Sequence, residues 1–163
     1  MNLDLVIHNK TKFGVPKKVF LNLLGKISPP NRRASGQVSL VLVGEKEIKK
    51  LNALYRKKNA ATDVLSFPVK EGENIPGGGR GDLGDVFICP AVVKKIFGRD
   101  SAARIEHLFV HGVLHLLGYD HDSARAAQKM EKLEGKILNS SDKVESPRRS
   151  RDKFPPPSGG APL

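Results

Sequence analysis

A chain of 163 residues with 39% hydrophobic residues has room for one domain with a core of its own and a tail, and is short for more. Lys and Arg outnumber Asp and Glu by 28 to 17, a net charge of +11 that points to a polyanionic partner such as nucleic acid. A single cysteine excludes an internal disulfide and a cysteine-built zinc knuckle, and no apolar run approaches the roughly 18 residues of a membrane span. The start MNLDLVIHNK lacks the basic-then-apolar pattern of a secretory signal, so a cytoplasmic protein with no membrane and no disulfide-linked partner is expected.

Leu3, Leu5 and Ile7 alternate along an opening strand, and 9–14 reads as a loop. Pro16 suits the first turn of a helix over 16–26, whose apolar stripe is Val19, Phe20, Leu23, Leu24 and Ile27. A Pro- and Arg-containing surface loop covers 28–36. QVSLVLV at 37–43 is β-branched and predicts a strand buried on at least one face. Gly44 breaks it, and Ile48, Leu51, Leu54 and Tyr55 then recur at helical spacing through Lys58. Arg56, followed by Lys57 and Lys58, reads from the residues alone as a charged helix end that the helix dipole favours.

TDVLSFP at 62–68 predicts a strand ended by Pro68. Ser66 in it is either a strand hydroxyl satisfied by backbone or a substrate contact, and Asp63 reads as a turn-capping carboxylate. The glycine-rich stretch 69–82 is a connector; its Gly77–Gly79 run lacks the helix start of a phosphate loop. LGDVFI at 83–88 is the next strand, with Asp85 a structural carboxylate. Pro90 opens a helix that Gly98 ends, and 101–117 is apolar over most of its circumference, which predicts a buried central helix. Asp122 is positioned to cap a last helix with the stripe Ala126, Met130, Leu133 and Ile137. From 139 to 163 the chain is polar, basic and Pro-rich, expected to be disordered; its net +2 leaves most of the positive charge on a domain spanning 1–138.

The chemistry concentrates in HGVLHLLGYDH at 111–121. His111 and His115 stand four apart and share one face of a helix, about 6 Å apart in rise. Gly118 can take the left-handed conformation that ends a helix, and the turn after it could return His121 to the same point. Three neutral imidazoles suit zinc and leave a fourth position open, as in catalytic sites. The spacing is that of the metzincin signature H-E-x-x-H-x-x-G-x-x-H, but Gly112 stands where those proteases carry the general-base glutamate. Peptide hydrolysis by that route is not expected. His107 shares the face, yet about 12 Å of helix separates it from His115, so it reads as a packed histidine or one that supports a ligand from behind.

HGVLHLLGYDH, together with LNALYR at 51–56, TDVLSFP at 62–68 and LGDVFI at 83–88, closely resembles the YbeY family of ribosomal-RNA maturation endoribonucleases over roughly residues 36–138. The resemblance implies an α/β (α+β) domain resembling metalloproteases, with a mixed sheet of about four strands flanked by helices and a central metal-binding helix. It implies a single-strand-specific, metal-dependent endoribonuclease acting in rRNA maturation, notably at the 16S rRNA 3′ end, and in ribosome quality control. His111, His115 and His121 would hold one Zn2+ ion per chain, Arg56 would brace a phosphate as a catalytic and substrate-binding residue, and Ser66 would contact substrate. The implied partners are rRNA and the small ribosomal subunit, with ribosomal proteins as further candidates. Two other readings stay open: a non-catalytic ribosome-assembly factor that binds RNA around a structural metal, and another zinc hydrolase such as a metalloprotease. The residues offer no evident general base.

Overall fold

The structure, a computed structural model, describes residues 3–27, 35–69 and 81–139. All but the ends of the loop expected over 28–36, of the connector over 69–82 and of the tail from 139 lie outside the described residues. The chain forms β1 (Leu3–Asn9), α1 (Lys17–Lys26), β2 (Gly36–Leu42), α2 (Glu45–Arg56), β3 (Val64–Pro68), β4 (Asp82–Ile88), α3 (Pro90–Phe97), a 3-10 turn (Gly98–Asp100), α4 (Ser101–Leu116) and α5 (Ala124–Asn139). Every expected element is present, with ends displaced by one or two residues. Pro16 caps α1 from outside rather than opening it, and α2 stops at Arg56 because Lys57 turns left-handed (φ 56°).

The four strands form one sheet in the order β1-β2-β4-β3. β1, β2 and β4 run parallel, and β3 is antiparallel to β4, pairing Val64 with Ile88 and Pro68 with Gly84. This is the mixed four-stranded α/β architecture expected. A central parallel strand is covered on both faces, which is why β2 is buried at Val38, Leu40 and Leu42 on one side and at Ser39 and Val41 on the other. The first face meets α1, α4 and α5 in the main core of Leu5, Phe20, Leu24, Leu40, Val86, Phe109 and Val113. The second face, with Val41, Val43, Leu65 and Cys89, is closed by Ile48 of α2. α2 and α4 therefore lie on opposite faces of the sheet.

α4 is the element around which the first layer packs: every residue from Leu108 to Leu116 is buried. Apolar side chains all round make such a helix an interior one. It lies against β3 and β4 at Gly112, where a Cβ would stand 2.6 Å and 2.9 Å from the two Val86 methyls and 3.0 Å from Ser66 Oγ. Only a residue without a side chain lets helix and sheet touch there. Among the described residues no helix is long and apolar enough to cross a membrane, and Cys89 is a buried free thiol.

Candidate metal centre

The end of α4 is set by its backbone. Gly118 takes φ +90°, its N–H donates to His115 O (3.0 Å), and Tyr119 N–H donates to Leu114 O (3.0 Å). These are the two bonds of a Schellman cap, with the glycine at the left-handed position. The same turn brings the Tyr119 carbonyl 2.9 Å from His115 Nδ1. A carbonyl only accepts, so His115 Nδ1 carries the proton and Nε2 of the neutral ring presents its lone pair. The ring is 1% exposed, and burial, with His111 beside it, pushes its pKa down to about 4, which keeps it neutral near pH 7.

His111 is fixed from the other side. Its Nδ1 lies 2.6 Å from Glu134 Oε1, and Glu134 Oε2 lies 2.9 Å from His107 Nε2. Burial alone would raise the Glu134 carboxyl, but the hydrogen bonds from His107 and His111 outweigh it and bring the pKa down to about 2. An ionised carboxylate only accepts, so His111 Nδ1 donates and its Nε2 also faces away from the proton.

These two constraints meet between the rings. His111 Nε2 and His115 Nε2 stand 3.0 Å apart. Two lone pairs at that distance repel unless a proton or a metal cation lies between them. A tetrahedral zinc ion with bonds of about 2.0–2.1 Å would hold two such nitrogens about 3.3 Å apart, close to the separation observed. The donors therefore fit a shared ion. The third expected ligand, His121, is exposed on the turn after the cap, its ring centroid 5.1 Å from that of His115 and 6.0 Å from that of His111. Among the described residues no three His, Cys, Asp or Glu side chains converge on one ion-sized point. The pair is formed and the third ring stands beside it.

Arg56 ends α2, the helix on the opposite face of the sheet; it is half-buried, and that burial lowers its pKa. Ser66 is 4% exposed, with its hydroxyl against Gly112. His107 Nε2 lies 2.9 Å from Glu134 Oε2, on the carboxylate that also meets His111. Asp63 is buried near Arg104, and Asp85 is hydrogen-bonded to Ser39, its register partner on β2. The cap of α5 requires a correction. Ser123, not Asp122, is the N-cap: its hydroxyl accepts from Ala126 N–H at 3.1 Å, three residues on, whereas Asp122 N–H turns back toward Asp120 Oδ1 at 3.4 Å.

Two residues of this arrangement escaped the sequence reading, Glu134 and Arg104. Glu134 falls between Met130 and Ile137 at offsets of four and three, on the buried stripe of α5. An acidic residue on an apolar stripe was the available signal. Arg104 is fully buried one turn before Leu108, its guanidinium 4.9 Å from the Phe97 ring centroid and its Nη1 3.0 Å from His107 Nδ1.

The chain resembles several known proteins. Residues 8–142 match the family described as Endoribonuclease YbeY. An Endoribonuclease YbeY of Xanthomonas oryzae pv. oryzae is 42% identical over 143 residues, covering 85% of this chain and 89% of that one. One from Pseudomonas putida is 38% identical over 142 residues, covering 83% and 87%. The solution structure of TM1509 from Thermotoga maritima superposes with a TM-score of 0.50 at 26% identity, covering 90% of this chain and 99% of that one. A match over most of the chain, to relatives of nearly the same length, places this protein in the Endoribonuclease YbeY family.

Proposed function

We propose that the chain is a metal-dependent, single-strand-specific endoribonuclease that carries one Zn2+ ion and acts in rRNA maturation, notably at the 3′ end of 16S rRNA, and in ribosome quality control. The observation that carries the metal reading is the pair of ring nitrogens, His111 Nε2 and His115 Nε2, facing each other at 3.0 Å with both Nδ1 atoms already engaged. When bound, a divalent ion at such a site lowers the pKa of water and polarises a phosphoryl oxygen. His111, His115 and His121 would hold it. The planar guanidinium of Arg56 would brace the phosphate and offset charge as it builds, with exposed Lys57 and Lys58 extending the cationic surface. Ser66 is the weakest member of the substrate set, because so little of it is exposed. The net charge of +11 suits rRNA in the small ribosomal subunit, with ribosomal proteins as further partners and the cytoplasm as the compartment.

The peptidase reading loses ground at Gly112, since neither a glutamate nor any other side chain has room there. The decisive experiment pairs zinc content with cleavage of structured rRNA for wild type, Arg56→Ala and His115→Ala prepared in parallel. The nuclease reading expects about one ion per chain in wild type and Arg56→Ala, none in His115→Ala, and cleavage by wild type alone. Equal cleavage by all three would mean a contaminating nuclease and favour a non-catalytic assembly factor.

A further inference from the structure

Behind the histidine pair a line of polar groups, Arg104, His107 and Glu134, leads to His111. We propose that this line is a tautomer-setting relay, in which Glu134 is a positioning residue that holds a proton on His111 Nδ1 and so keeps His111 Nε2 as the nitrogen facing His115 for an ion. The proposal rests on reading the histidines as a metal site.

The direction of the relay is set at one end by a group that cannot reverse. Arginine has only donors, so Arg104 Nη1 donates to His107 Nδ1 across 3.0 Å. His107 must then carry its proton on Nε2, which donates to Glu134 Oε2 at 2.9 Å. The other carboxylate oxygen accepts from His111 Nδ1 at 2.6 Å. With Glu134 ionised, a bare His107 Nε2 or His111 Nδ1 would set two acceptors face to face. Arg104, Glu134 and His111 are buried, at 0%, 8% and 7% exposure, with the His107 ring part-exposed, so a wrong tautomer between Glu134 and His111 is costly. The relay thus orients a ligand from behind.

Glutamine at 134 keeps the shape and breaks the logic. It offers one oxygen and one NH2 group to two neighbours that both donate, so one ring must change its tautomer or lose its bond. Glutamine at 107 does the opposite: its oxygen accepts from Arg104 and its NH2 donates to Glu134.

The test uses the full chain with chelator and then with added Zn2+, reading imidazole nitrogen protonation by 15N NMR and zinc affinity by competition with a chromophoric chelator. In chelated wild type, Nδ1 is expected to be protonated on His111 and bare on His107. Glu134→Gln should lose the His111 signature and bind zinc about 10- to 100-fold more weakly. His107→Gln, which keeps an acceptor for Arg104 and a donor for Glu134, should retain the His111 signature that Glu134→Gln loses, and His115→Ala should lose zinc altogether. If His115→Ala loses zinc while Glu134→Gln keeps wild-type affinity and ring pattern, the relay is wrong and the metal site stands. If His115→Ala binds zinc normally, the metal reading itself is wrong and the relay falls with it. A His111 ring that exchanges between tautomers in the chelated wild type overturns the proposal without any variant, and that spectrum decides if Glu134→Gln does not fold.

Discussion

Gly112 lies against Val86 so closely that a β-carbon at 112 would stand 2.6 Å from Val86 Cγ1. The position that carries a glutamate in a similarly spaced protease signature is thus occupied here by the contact between the central helix and the sheet. Gly112→Ala should lower stability by about 1–2 kcal/mol, overpacking outweighing the gain in helix propensity. Gly112→Glu should disrupt the fold and confer no peptidase activity. Urea denaturation of the two variants checks this, and an alanine variant more stable than wild type would show that Val86 yields.

The pH dependence of the metal-free protein follows from His115. Its pKa is held at about 4 in the fold against 6.5 ordinarily, so between those values the unfolded chain binds a proton that the folded chain does not. Stability is therefore full above pH 6.5 and falls as the pH drops to 4, by at most about 3 kcal/mol. Glu134 adds a second, lower window: at about 2 in the fold against 4.5, its contribution is present above pH 4.5 and lost toward pH 2. Denaturation midpoints of chelated protein across pH should show both slopes, and His115→Gln should flatten the upper one alone.

Gly118 joins the helix cap to the ligand. At φ +90° any other residue is strained, so Gly118→Ala should cost about 1–2 kcal/mol. Because Tyr119 O holds His115 Nδ1, the variant should also bind zinc more weakly. Loss of stability with unchanged zinc affinity would separate the cap from the site.

Arg56 differs from the histidines in what it should change. Arg56→Lys keeps a positive charge but not the fork, and should reduce RNA cleavage by about 10- to 100-fold with zinc content intact. Equal cleavage by Arg56→Lys and wild type would leave the arginine the role of a helix terminus.

Much of this arrangement was legible in the residues. Alternation along Leu3, Leu5 and Ile7, the stripe through Phe20, Leu23 and Leu24, and Pro90 and Gly98 at the ends of α3 are local signals, and each produced its element. The Ser123 cap was missed because Asp122 and Ser123 are adjacent residues with the same chemistry, and which one caps depends on where the turn from His121 enters the helix.

The sequence by itself determined the histidine pair, since a spacing of four on one helix fixes two rings on one face, and it determined the turn at Gly118, since few residues tolerate that backbone. Only the tertiary structure decided which nitrogens those rings present. Glu134 comes from a helix 23 residues beyond His111, and Arg104 and His107 reach it through the packing of α4 on α5. Hydrogen-bond direction depends on which donors and acceptors meet in space, and no periodicity along a chain records that.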